Sequence, residues 1–217
     1  MNRIAVLFQR FIPMFYSIAA YFCMFIMFQA QKIVLIIGGN KFDDAIIPVA
    51  IMALYPLFYT TNGMIYTVFY STRNTKLLGK LGTLFCFIGP PCFFILLAPP
   101  QYFGLNLGAT GFAIGMVSLT FVSYNVYLWF CTRILKISFT GLFLHQFYSA
   151  ALFALTAIIS IQLSNTLFDN FIISFLVSGI IYTIGIFILL ISFPRLFSVT
   201  KKEIFELIKI RSTAKPT

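Results

Sequence analysis

Residues 45–80, AIIPVAIMALYPLFYTTNGMIYTVFYSTRNTKLLGK, decide the fold of this chain. Their first part is an apolar run long enough to span a bilayer, because a hydrocarbon core of about 30 Å takes about 20 helical residues. Within it Tyr55, Tyr59, Asn62, Tyr66 and Tyr70 recur at helical spacing and share one face. Lipid does not favour such a face, so the pattern predicts a polar lumen beside the helix. The run stops at Ser71, Thr72, Arg73, Asn74, Thr75 and Lys76, a basic turn that hydrocarbon excludes and that the positive-inside rule assigns to the cytoplasm.

Composition agrees with a chain that lives in a membrane. Hydrophobic residues make up 60% of it and charged residues 9%, against about 25% charged in a soluble domain. The formal charge of +10 does not point to nucleic acid, because the basic residues are scattered between apolar runs and form no aromatic and basic binding face. Cys23, Cys86, Cys92 and Cys131 fall in or beside apolar runs without CxxC or His-paired spacing, so the sequence predicts no metal site, no cofactor and no disulfide framework.

Outward from the opening stretch, the chain reads as an all-α, polytopic membrane protein of six spans. The first extends from Phe11 to about Gly38 with Pro13 in its first turn. A polar turn, Gly38 to Asp44, precedes the tyrosine-striped second span, which Pro56 should kink. The third, about Leu81 to Leu97, is expected to break at Gly89, Pro90 and Pro91. The fourth, about Leu107 to Phe130, opens with Gly108, Gly111 and Gly115, which should permit close helix approach. The fifth covers about Phe139 to Leu163 and the sixth about Phe171 to Phe193, with Pro194 as its stop.

Charge tests this topology. Arg3, Arg10, Arg73, Lys76, Lys80, Arg133, Lys136, Arg195, Lys201, Lys202, Lys209, Arg211 and Lys215 all fall on one side of it. The opposite loops hold Lys41, Asp43, Asp44 and Asp169. Both termini are therefore expected in the cytoplasm, with residues 1–194 as the transmembrane unit and residues 195–217 as a basic tail. In that tail Ile204, Phe205, Leu207 and Ile208 alternate with basic residues, which suits either a short helix on anionic headgroups or a frayed solvated end.

Several polar residues inside the spans are binding candidates, each with a structural alternative. Lys32, flanked by Gln29 and Gln31, either reaches the lumen or snorkels to outer headgroups. The tyrosine stripe either lines a path, with Tyr59 and Asn62 at its centre, or serves helix packing and the interfacial belt. His145, with Gln146, Ser149, Thr156 and Ser160 along one face, is either a binding residue or a helix-helix hydrogen bonder; Ser118, Tyr124 and Asn125 read the same way. Arg73, Lys76 and Arg133 are either topology anchors or cations at a cytoplasmic entrance. Every acid, Asp43, Asp44, Asp169, Glu203 and Glu206, falls in a loop or the tail, so the sequence offers no acid-base pair for catalysis and predicts a protein that is not an enzyme.

The run IIGGNKFDDAIIPVAIMALYPLFYTTNGMIYTVFYSTRNTKLLGKLG at 36–82, the Gly-Pro span after it, and GLNLGATGFAIG at 104–115 resemble the second half of a polysaccharide flippase. The family is the multidrug/oligosaccharidyl-lipid/polysaccharide exporter superfamily, O-antigen (Wzx) type. The resemblance extends from about Pro13 to Phe193. It implies one six-helix lobe of a twelve-span transporter in the inner, cytoplasmic membrane, completed by a second six-helix lobe on the same or another chain. It also implies alternating access that moves a polyprenyl-diphosphate-linked oligosaccharide between leaflets. The implied binding residues are Lys32, Tyr55, Tyr59, Asn62, Tyr66, Asn125 and His145, with Arg73, Lys76 and Arg133 at the entrance. An ion-coupled multidrug antiporter lobe and a non-transporting membrane fragment or assembly partner remain as alternatives.

Overall fold

The computed structural model describes residues 2–193, and among these it contains helices and the turns between them. The first helix, α1, covers Asn2–Phe28 and passes through one irregular residue, Gln29, into α2, Ala30–Gly38. A 3-10 turn, Gly39–Ala45, reverses the chain so that α3, Ile46–Met52, packs back on α2. The remaining helices are α4 (Tyr55–Ser71), α5 (Thr75–Leu97), α6 (Gly108–Leu135), α7 (Phe139–Leu167) and α8 (Phe171–Ser192). Six helical stretches are long and apolar enough to cross a membrane, as in a multi-pass membrane protein. The expected stop at Pro194 and the tail from Arg195 lie outside the described residues.

Two expectations about the spans need correction. Helix α1 begins at Asn2 rather than near Phe11, which puts Arg3 and Arg10 on its first turns and Pro13 in its interior. At ~1.5 Å per residue its 27 residues reach about 40 Å, more than a hydrocarbon core of about 30 Å, so its basic start can stand beyond the hydrocarbon without interrupting the helix. The Gly89-Pro90-Pro91 segment does not break the third span either, because α5 runs unbroken through both prolines. Each proline removes one amide donor, leaving the carbonyls of Cys86 and Phe87 without their helical partners. By contrast, the kink expected at Pro56 is present: the helix breaks at Ala53 and Leu54, where hydrogen bonds tighten to Leu54 N–H onto Ile51 and Leu57 N–H onto Leu54.

The bundle is organised as a chain of packed pairs. Helix α1 lies between α4 and α7, α8 packs on α7, α6 on α3 and α4, and α5 on α6. The core forms where α1, α4, α6 and α7 meet, around Tyr16, Phe58, Ile65, Tyr124, Leu128 and Phe153. Phe58 sits between Phe121, edge-on at 5.1 Å, and Tyr124 at 5.8 Å. Helices α4 and α6 run in the same direction, since Phe58 meets Phe121 and, farther along both helices, the Cys131 thiol donates to the Ile65 carbonyl at 3.6 Å. The N-terminal part of α1 lies against Met64, Thr67 and Val68 of α4. Arg3, Arg10, Arg73, Lys76 and Arg133 therefore gather at one end of the bundle.

The three glycines at the start of α6 have two different roles. Gly108 takes a positive φ of 54°, which turns the chain into the helix with open space around it. Gly111 and Gly115 are buried against α5: a Cβ on Gly111 would lie 3.0 Å from the Leu96 carbonyl, and one on Gly115 2.6 Å from the Phe93 ring. Small residues at such contacts let membrane helices approach closely, where dispersion does the work that the hydrophobic effect does in water. Gly115→Leu is accordingly expected to lower the stability of the detergent-solubilised protein by about 1–3 kcal/mol in thermal unfolding. Gly79→Leu, at an open position on α5, should not lower it.

Candidate functional site

Helix α4 differs from the other spans in what it turns outward. Pro56, Tyr59, Thr60, Gly63, Thr67 and Tyr70 are exposed and lie on one face at helical spacing. The outward face of α8, by comparison, is Ile172, Leu176, Ile180, Ile184, Phe187 and Ile191. Tyr59 and Tyr70 are 59% and 62% exposed. Tyr55 is half-buried and stacks on Tyr59 with centroids 5.2 Å apart; Tyr66 meets Tyr127 edge-on at 5.6 Å. The threonine hydroxyls donate back to their own helix, Thr60 to the Pro56 carbonyl at 2.9 Å and Thr67 to the Gly63 carbonyl at 2.8 Å. The face is thus polar and nearly smooth, with an aromatic pair at one end. Arg73, exposed with φ of 58°, and Lys76 follow at the other end.

Asn62 is not on this face. It is buried, with its Oδ1 lacking a hydrogen-bond partner among the described residues. Two further buried polar atoms, Tyr124 Oη and Gln146 Oε1, share that condition. They belong to a polar layer where α1, α4, α6 and α7 converge. The Gln146 amide donates to Asn125 Oδ1 at 3.1 Å, and the Asn125 amide donates to the Phe121 carbonyl at 2.9 Å. His145 Nε2 stands 3.4 Å from both the Pro13 carbonyl oxygen and Ser17 Oγ, a geometry in which a protonated Nε2 donates to the carbonyl. Asn125 and His145 are therefore engaged in helix-helix contacts, and only Asn62 among the expected binding residues shares their layer.

Lys32 lies in a third place. Its ammonium donates to Asn165 Oδ1 at 2.7 Å and to Ser174 Oγ at 2.8 Å, at the junction of α2 with the end of α7 and the start of α8. Ser174 Oγ also donates to Asn165 Oδ1, at 2.7 Å, and Ser164 Oγ donates to the Ser174 carbonyl. One turn along, the Gln29 amide donates to Ser178 Oγ. Asn165, Ser174 and Ser178 were not singled out from sequence. A signal was present: Ser174, Ser178 and Tyr182 recur every four residues on the largely apolar α8, and all three are buried.

Arg133, in the last turn of α6, is exposed and its guanidinium lies 3.9 Å over the Trp129 ring. Grooves open between neighbouring helices at α1 and α8, α5 and α6, α1 and α4, and α6 and α7. No group of three or more His, Cys, Asp or Glu side chains among the described residues could hold a metal ion.

The orphaned atoms of the polar layer have a measurable consequence. A buried hydroxyl without a partner carries a desolvation cost of about 1–3 kcal/mol. Tyr124→Phe removes that oxygen and keeps the ring against Phe58, so it is expected to leave thermal stability unchanged or raise it, whereas Tyr124→Ala should lower it by about 3–5 kcal/mol. Comparison of this chain with protein families, with curated proteins and with solved structures finds no match.

Proposed function

We propose that this chain is one lobe of a transporter that moves lipid-linked oligosaccharide across the cytoplasmic membrane, with the outward face of α4 as part of the wall of its path. The observation that carries this reading is the exposed run Tyr59, Thr60, Gly63, Thr67 and Tyr70 on a membrane-crossing helix. Polar groups at membrane depth belong against protein or in a water-filled path. Because this face is on the outside of the six-span unit, a second six-helix lobe must complete the path.

The chemistry suits an amphiphile with a sugar headgroup. The stacked Tyr55 and Tyr59 rings offer flat apolar faces and phenol hydroxyls to sugar rings. The smooth strip at Gly63 and Thr67 lets a bulky group slide past without deep pockets to hold it. Arg73 and Lys76, just beyond Tyr70, supply cations for a diphosphate at the end that the positive-inside rule places in the cytoplasm. Alternating access follows from rocking the two lobes about this wall. The acids among the described residues, Asp43, Asp44 and Asp169, lie in the turns, so an ion-coupled antiporter would have to draw its coupling carboxylate from the second lobe.

Reconstituted vesicles holding this chain and its second lobe should translocate lipid-linked oligosaccharide, and Tyr59→Ala should slow it by about tenfold, equivalent to about 1.4 kcal/mol. Thr67→Leu should do likewise, while Ile180→Leu on the outward face of α8 should not. A membrane-impermeant thiol reagent should label Gly63→Cys and Thr67→Cys when Cys86 is first replaced by Ala, and should leave Ile184→Cys unlabelled. Unchanged transport in both α4 variants, or labelling at residue 184 equal to that at residue 63, would remove α4 from the path.

A further inference from the structure

The cluster around Lys32 has more donors than acceptors. Lys32 Nζ carries three hydrogens and uses two, on Asn165 Oδ1 and Ser174 Oγ. Asn165 spends its carbonyl oxygen on both Lys32 and Ser174, which leaves its amide NH2 without a protein acceptor among the described residues. Ser174 and Ser164 turn their hydroxyl hydrogens inward, onto Asn165 and the Ser174 carbonyl. No carboxylate pairs with Lys32 among the described residues, so its positive charge is met by neutral dipoles and, 6.0 Å away, the face of the Phe171 ring. What this corner lacks is an anion.

An apolar groove runs along α8 from the same end of the helix, on a side turned about 200° from Ser174. Leu176 stands two residues beyond Ser174, and from there a cavity of about 490 Å³ lies between α1 and α8, lined by Phe22, Phe25, Ile26, Gly179 and Ile180. A second cavity of about 310 Å³ shares Tyr21 and Thr183 with the first and extends to Leu190. At ~1.5 Å per residue the stretch from Leu176 to Leu190 measures about 21 Å, longer than the ~15 Å of one leaflet. The polar atoms in its wall are already bonded: Tyr21 Oη pairs with Thr183 Oγ1 at 2.7 Å and Tyr182 Oη donates to the Tyr21 carbonyl at 2.9 Å. Such a groove accommodates hydrocarbon and offers nothing to a sugar.

We propose that the Lys32 cluster and the α1/α8 groove together form a binding site for one anionic phospholipid, the phosphate on Lys32 and Asn165 and an acyl chain along the groove. The occupant is set by charge: a net negative headgroup supplies the missing counter-ion, at the end of the bundle opposite Arg73 and Arg133. The site lies on α1, α2, α7 and α8, away from the outward face of α4, so it stands or falls independently of the transport reading.

Native mass spectrometry of the full chain in mild detergent tests this, with phosphatidylglycerol and phosphatidylcholine of identical acyl chains as probes. Phosphatidylglycerol should be retained about tenfold more tightly, the size expected of one charge-assisted contact. Lys32→Gln should bring it down to the phosphatidylcholine level and Lys32→Arg should preserve the preference. Ile184→Trp, which fills the groove from an exposed position, should weaken both lipids. Should Lys32→Gln fail to fold, Asn165→Leu replaces it, with loss of the preference expected. Equal retention of the two lipids by the unaltered protein, or a preference that survives neutralisation of Lys32, overturns the headgroup assignment. Displacement of the lipid by inorganic phosphate at equal concentration overturns the lipid as the source of the anion.

Discussion

The structure depends on a row of side-chain hydrogen bonds that the first span extends to the last two. Ser17 lies beside His145, Tyr21 pairs with Thr183, Gln29 donates to Ser178, and Lys32 donates to Asn165 and Ser174. Their spacing along α1 and α2 puts them on the side facing α7 and α8. In water such bonds would add little to burial of apolar surface, but between helices in lipid that burial has no driving force, because the alternative surroundings are equally apolar. Helix association there relies on bonds and close packing. A helix bond of this kind contributes about 0.6 kcal/mol on average, so it is the row that matters and not any single member.

The other side of the bundle is held differently. Between α1, α4 and α6 the contacts are aromatic and close-packed, with Phe58 among Phe121 and Tyr124, and α5 is drawn onto α6 by Gly111 and Gly115. This half also holds the orphaned oxygens of Asn62 and Tyr124, with that of Gln146 at its border with α7. One half is thus stitched by polar pairs, the other is packed by shape with polar atoms left over, and α4 presents its hydroxyl-bearing side outward from the packed half.

Much of the helical architecture was legible because membrane spans announce themselves by length and composition. The reversal at Gly38 to Asp44, the break before Pro56 and the basic turns at Arg73 and Arg133 all stood in the sequence. The unbroken α5 did not, since Pro90 and Pro91 forbid two hydrogen bonds without forbidding helical φ. Nor did the surroundings of the polar residues. Periodicity shows that Tyr55, Tyr59, Tyr66 and Tyr70 lie along one side, but with lipid and core both apolar it does not say which side faces inward. Asn62, one step around the helix from Tyr59, turns in while Tyr59 turns out. Lys32 finds its partners more than 130 residues away, a distance that local pattern cannot bridge.

The row joining α1 and α2 to α7 and α8 also has a consequence in time. Tyr21 and its partner Thr183 are separated by 162 residues. At a synthesis rate of about 5–20 residues per second, the earliest helix waits on the order of ten to thirty seconds for the last. During that interval Tyr21, Gln29 and Lys32 sit in the bilayer without their final companions. A nascent chain that stalls before α8 emerges from the ribosome would strand them, and surveillance machinery that recognises unmated polar groups in membrane helices would find its mark in the opening span.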